Sequence, residues 1–202
     1  MDEPGAKIPG AGRQGQVGQP VIRTYLEMRA PLPSGPRSAP NGAYVERLEH
    51  CPPEFYRLLY AEVGRQWSWF DRLAWSDAEL AAHLDRPEVK VRVLQLNGAP
   101  AGYYELVTHA DSSVEIGYFG LMPHAIGRGL GRWLLGEAIA EAWGTRPERV
   151  WLHTCTLDHP AALPFYQRAG FRAFRRQIEV EDDPRLDGSA PRGVAKHVPV
   201  IE

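Results

Sequence analysis

Residues 121–135, LMPHAIGRGLGRWLL, constrain this chain more than any other stretch: an apolar strand end, a proline, three alternate glycines and the start of a helix. Gly127, Gly129 and Gly131 remove the Cβ atoms that would hold a ligand off the backbone, and they permit dihedrals that other residues resist. A helix starting directly afterwards presents unpaired N–H groups and a partial positive charge at its first turn. The combination reads as an anion-binding turn suited to a pyrophosphate, against the plainer reading of a glycine-rich connector with no ligand. The rest of the chain decides between them.

Upstream, residues 89–96 alternate as VKVRVLQL, Asn97-Gly98 offers a tight hairpin turn, and 102–108 and 114–122 follow as two more strands. Three neighbouring antiparallel strands therefore lead into the glycine turn. The helix after it, from Gly129 to about Trp143, keeps Leu130, Trp133, Leu134, Ala138 and Ala142 on one face. Gly144 and Pro147 end it. A strand over 150–156 (VWLHTCT), a short helix over 161–169 stopped by Gly170, and a strand over 171–180 complete this half.

The N-terminal half reads as a strand over 21–28, a loop over 30–43 with four prolines and two glycines, and a helix from Pro52 carrying Phe55, Leu58, Leu59 and Val63. A second helix runs from about Asp77 to Leu84, with Ser76 as N-cap and Glu79 at capping-box spacing. Between the helices lies QWSWFDRLAW (66–75). Trp67, Trp69, Phe70 and Trp75 there either close the core or, beside Arg65, Asp71 and Arg72, wall a substrate pocket.

Residues 1–20, rich in Gly, Pro and Gln, read as a mobile arm, and 181–202 as an extension with one edge strand over 197–201. A balance of 23 basic against 25 acidic residues supplies no field for nucleic acid or a membrane, so the expected partner is small. Cys51 and Cys155 are too few for a disulfide framework. With no signal-peptide pattern and no run of about 18 apolar residues, the expectation is a soluble cytoplasmic protein.

Two local matches sharpen this order of elements: I126-G-R-G-L-G131 after L121-M-P123, and, downstream, H159-P-A-A-L-P-F-Y-Q-R-A-G-F171. Together they resemble the GNAT superfamily of acyl-CoA-dependent N-acyltransferases, over roughly residues 21–180. The resemblance implies an α/β (α+β) fold: a mixed, mostly antiparallel sheet of six to seven strands flanked by about four helices. It also implies an acyltransferase that moves an acetyl group from acetyl-CoA to a primary amine of a small molecule or peptide, by direct attack in a ternary complex. The alternative is a CoA- or ligand-binding module without turnover. A homodimer is open to it through exchange of the C-terminal tail. A nucleotide-binding Rossmann unit is excluded, because antiparallel strands precede the turn and no acidic ribose residue follows a second parallel strand.

The resemblance assigns the cofactor contacts to main-chain groups of Phe119 and Leu121, to Ile126, Gly127, Arg128, Gly129, Leu130 and Gly131, and to His159. The N–H of Leu121 is the implied oxyanion donor. Where the family carries a basic or amide residue, Ile126 stands here, so Arg128 or Arg132 would supply charge; where it often has asparagine, His159 stands. Tyr166 matches the tyrosine that protonates the departing thiolate. Glu115 is the implied base, with Glu105 as runner-up, and strand parity places Glu115 with Gly117 and Phe119, opposite Val114, Ile116 and Tyr118. His153, Cys155 and His159 form H-x-C-x-x-x-H, which lacks the paired clusters of a zinc site, so no metal is expected; His153 and Cys155 read as strand residues facing the core or the substrate groove.

Overall fold

Alternating strands joined by short turns, then strands joined through helices, produce one mixed sheet with helices on both faces. The computed structural model describes residues 18–31, 38–186 and 188–201. In chain order the elements are β1 (Gln19–Met28), β2 (Ala43–Arg47), α1 (Pro53–Gly64), α2 (Asp77–Leu84), β3 (Val89–Leu96), β4 (Ala99–Thr108), β5 (Ser113–Leu121), α3 (Leu130–Gly144), β6 (Arg149–Cys155), α4 (Ala162–Arg168) and β7 (Arg172–Glu181). The sheet order is β2-β3-β4-β5-β6-β1-β7. Every neighbouring pair is antiparallel except β5 with β6.

The β3–β4 hairpin closes through Asn97 (φ 52°) and Gly98 (φ 84°), both left-handed as a tight two-residue turn requires. At α2 the capping box forms as its spacing predicts: the Glu79 N–H donates to Ser76 Oγ at 3.3 Å, and the Ser76 N–H donates to Glu79 Oε2 at 2.7 Å.

Strand alternation sends apolar side chains to two cores, one on each face. On one face Leu94, Leu106, Ile116 and Leu152 meet Leu130, Leu134 and Ala138 of α3, with Phe165 and Tyr166 of α4 packed against them. On the other, Val91, Val93 and Tyr103 meet Tyr56, Leu59 and Val63 of α1 and Leu80 of α2. Trp69 and Trp75 pack against this second core, so these two aromatics of the 66–75 loop serve closure.

Several boundaries differ from expectation. The first strand begins at Gln19, while residues 1–17 of the expected arm lie outside the described residues. β2 was not expected; it is a five-residue edge strand that follows a turn-rich stretch and pairs only with β3. The edge strand expected over 197–201 does not form. Instead Arg185, buried together with Asp183, draws the segment inward: its guanidinium donates to the carbonyls of Val198 (2.9 Å) and Pro199 (3.4 Å) within that stretch and of Ala195 (3.3 Å) and Val194 (3.4 Å) before it. Carbonyls turned in to one cation are not available for a sheet ladder.

Gly120 lets α1 settle on β5, because a Cβ there would overlap Val63 Cγ1. Valine is stiff at χ1 and has nowhere to swing. Gly120→Ala should therefore destabilise the fold by about 1–3 kcal/mol in urea titrations, and Gly120→Ala combined with Val63→Ala should cost less than the sum of the two single changes.

Candidate functional site

β5 and β6 pair for only three residues, Ser113 with Arg149, Val114 with Val150 and Glu115 with Trp151. Beyond Glu115 the two strands part. The N–H of Met122 donates to the Ala101 carbonyl of β4 at 2.9 Å, so by alternation the main-chain groups of Leu121 and Phe119 face the opposite edge, toward the gap. A strand end with free amides beside a parting neighbour is a template for an extended ligand.

The side chains on this strand do not follow simple parity. On β4 Leu106 pairs with Ile116 but the next residue, Glu105, pairs with Tyr118, so Gly117 is an extra residue, a bulge. The expectation that Glu115, Gly117 and Phe119 share a face is thereby corrected. Past the bulge Phe119 joins Ile116 on the α3 face, whereas Glu115 shares the α1 face with Tyr118.

Just after β5 the chain enters the glycine turn. Gly127 (φ 81°) and Gly129 (φ 77°) are both left-handed, and a Cβ on either would meet nothing within 4 Å. They therefore shape a backbone that is open outward. Gly129 is the N-cap of α3 and no side chain caps that helix, which leaves its first amides free. Leu130 is buried and anchors the first turn, while Gly131 lies against Leu121 and Phe165. Ile126 is half exposed, and Arg128 and Arg132 are exposed with no ion pair among the described residues. An uncapped N-terminus with two nearby guanidiniums suits a polyanion.

His159 precedes α4, and its Nδ1 accepts the Ala161 N–H at 2.9 Å. That bond fixes the proton on Nε2, leaving one donor on the outer edge. Its ring lies 4.9 Å from that of Trp67. Tyr166 lies among Phe119, Phe165 and Phe171, with ring centroids 5.4–6.4 Å apart. Burial, with the Asp158 carboxylate adding, pushes its phenol above the ordinary value, so it holds its proton at neutral pH. Asp158 also bridges elements, accepting from Trp69 Nε1 (3.1 Å), Thr154 Oγ1 (2.8 Å) and the Cys155 N–H (2.9 Å).

The two candidate carboxylates meet different fates. Glu105 is sealed beneath the aromatic loop, where Tyr56 Oη donates to it at 2.5 Å, His83 Nε2 lies at 2.9 Å and Arg72 at 3.7 Å. Glu115 stands where β5 and β6 part, between His109 Nε2 (3.0 Å) and His153 Nδ1 (3.8 Å). Burial alone would raise its pKa, but the hydrogen bonds and charges of His109 and His153 outweigh it and bring the carboxyl to about 2. This histidine pair was missed as a unit: His153 was read as a strand residue facing the core or the groove, but His109 lies across a turn and carries no motif. Cys155 is pushed up to about 12 by burial first, so it is a thiol and not a nucleophile at neutral pH. Among the described residues no group of three or more His, Cys, Asp or Glu is placed to hold a metal ion, and no helix is long and apolar enough to cross a membrane.

A cavity of about 430 Å³ opens beyond α1, lined by Arg65, Gln66 and Trp67, by Pro160 at the head of α4, and by Gly193, Lys196 and His197 of the C-terminal segment. Two contacts tie that segment to the body: the Ala195 N–H donates to the Gln66 carbonyl at 2.8 Å, and His197 Nε2 to the Thr156 carbonyl at 2.9 Å. Of the aromatic loop, then, Trp67 does line a pocket.

The model of the Acetyltransferase (GNAT) family matches residues 53–171. No curated protein matches the sequence. Solved structures that it resembles include a GCN5-related N-acetyltransferase from Kribbella flavida (17% identity, TM-score 0.57, covering 82% of this chain and 60% of that one). Another is a GCN5-related N-acetyltransferase from Sphaerobacter thermophilus (20%, 0.57, 81% and 51%). A third is a tandem GNAT protein from the clavulanic acid biosynthesis pathway (16%, 0.59, 80% and 52%). At these identities the likeness is one of fold, and the chain spans between 51% and 60% of the length of these three.

The Glu115 arrangement sets an acid dependence. Its folded pKa lies below the ordinary value of 4.5, so its stabilisation is full above that pH and is lost as pH falls toward 2. Glu115→Gln should lower the urea midpoint at pH 7, and the gap from the parent should close as both are titrated from pH 4.5 to pH 2.

Proposed function

The chain belongs to the acetyltransferase (GNAT) family, and we propose that it moves an acetyl group from acetyl-CoA to a primary amine by direct attack in a ternary complex. The observation that carries this reading is the continuity of two features. The edge of β5 left free by β6 exposes the main chain of Phe119 and Leu121, and it runs directly into the uncapped start of α3.

The residues present fit the co-substrate. Gly127 and Gly129 leave open space where a Cβ would stand, and the free amides of the turn and of α3 receive the pyrophosphate, with Arg128 and Arg132 adding charge. Ile126 takes part through its backbone, and Leu130 and Gly131 through theirs. Phe119 and Leu121 pair with the pantetheine arm as a neighbouring strand would, and the outer Nε2–H of His159 is a donor to the same arm. Acetyl-CoA supplies the activated thioester carbon.

Leu121 N–H donates to the carbonyl oxygen as negative charge develops there. Glu115, at the fork of β5 and β6 beside His109 and His153, takes the amine's proton directly or through water. The new N–C bond forms as the C–S bond breaks, and Tyr166, still protonated, gives its proton to the departing thiolate. Glu105, enclosed by Tyr56, His83 and Arg72, props the aromatic loop and is set aside as base.

Thiol release against a panel of amines, together with calorimetry for acetyl-CoA, tests the reading; binding without turnover across the panel would make the chain a binding module. Tyr166→Phe should lower kcat by about 100-fold while leaving acetyl-CoA affinity unchanged, and an unchanged kcat removes the phenol from the mechanism. Gly129→Val, which places a β-branched residue at φ 77° and a side chain in the cradle, should weaken acetyl-CoA binding by about tenfold or more, at a folding cost of about 1–2 kcal/mol.

A further inference from the structure

We propose that the cavity between the end of α1 and the C-terminal segment is the acceptor subsite, and that it selects amines bearing a carboxylate. This rests on the acetyl-transfer reading and goes beyond it by naming the acceptor's chemistry. A volume of about 430 Å³ is that of a small-molecule pocket. Its place is right for an acceptor: Trp67 touches His159, Pro160 opens the helix that carries Tyr166, and Thr156, which holds His197, directly follows β6 at the mouth of the gap.

The lining is one-signed. Arg65 and Lys196 face the cavity and no carboxylate does, although the whole chain carries a formal charge of −2. Glu62 binds Arg65 from outside, which neutralises one charge but leaves guanidinium donors over. Lys196 is exposed and has no ion pair among the described residues. The net local charge of about one matches a monoanion better than a phosphate dianion, and the planar Arg65 fork fits a carboxylate. Trp67 supplies an apolar wall, held edge-on by His197 at 5.8 Å, for the part of the acceptor that carries the charge.

Thiol release with acetyl-CoA should be measured on matched pairs: free α- and ω-amino acids against their amides, rates corrected for the fraction of free amine. The acid of the best pair should exceed its amide by at least tenfold in kcat/KM, and Lys196→Glu should raise the KM for that acid at least tenfold with acetyl-CoA affinity intact. Amides as good as acids in every pair, or a preference untouched by Lys196→Glu, overturn the proposal while acetyl transfer stands. No turnover with any amine overturns acetyl transfer instead. The subsite is then judged by titrating N-acetylglycine against tryptophan fluorescence. Saturable quenching that disappears in Trp67→Phe and weakens in Lys196→Glu upholds it, and its absence rejects it.

Discussion

The early end of the pairing between β5 and β6 is the constraint from which the rest of the molecule follows. Parallel neighbours need a crossover, and here α3 supplies it, so the helix must begin where β5 ends. One topological step thus places an uncapped helix start, a run of free strand amides and a gap side by side. Gly127 and Gly129 make the turn between strand and helix tight without closing it, since both are left-handed and neither would meet anything with a Cβ. No separate binding element is built.

Around that gap, carboxylates of similar sequence setting are put to different work by their surroundings. Glu105 and Glu115 lie on adjacent strands and on the same face, yet one is closed in by Tyr56, His83 and Arg72 while the other stands at the fork between two histidines. The aromatic loop divides in the same way. Trp69 and Trp75 fill the second core, and Trp67 turns to the cavity.

What was legible in the chain was what local rules govern. The Asn97-Gly98 turn, the Ser76–Glu79 box and the meander depend on residues a few positions apart and appear as read, while of the three glycines Gly127 and Gly129 are left-handed and Gly131 lies in the first turn of α3. The bulge at Gly117 was not legible, because a register skip belongs to two strands and leaves no mark on one; it reversed the expected side-chain faces from Tyr118 onward. β2 was hidden by its length and exposure, and the pairing of Glu115 with His109 by the intervening turn. The tail misled for a different reason. Its composition suits an edge strand, but Arg185 claims its carbonyls.

That clasp has a dynamic consequence. Among the described residues from Asp183 to Pro199 few large side chains are buried, and one guanidinium, satisfied by Asp183, by Gln19 and by carbonyls of this segment, ties them to the body. Because four of its carbonyls converge on the same guanidinium, displacing that one side chain would release them together. The cavity wall formed by Gly193, Lys196 and His197 therefore exists only in the clasped population. A ligand filling the cavity would therefore hold the tail closed, although the tail carries none of the transfer chemistry.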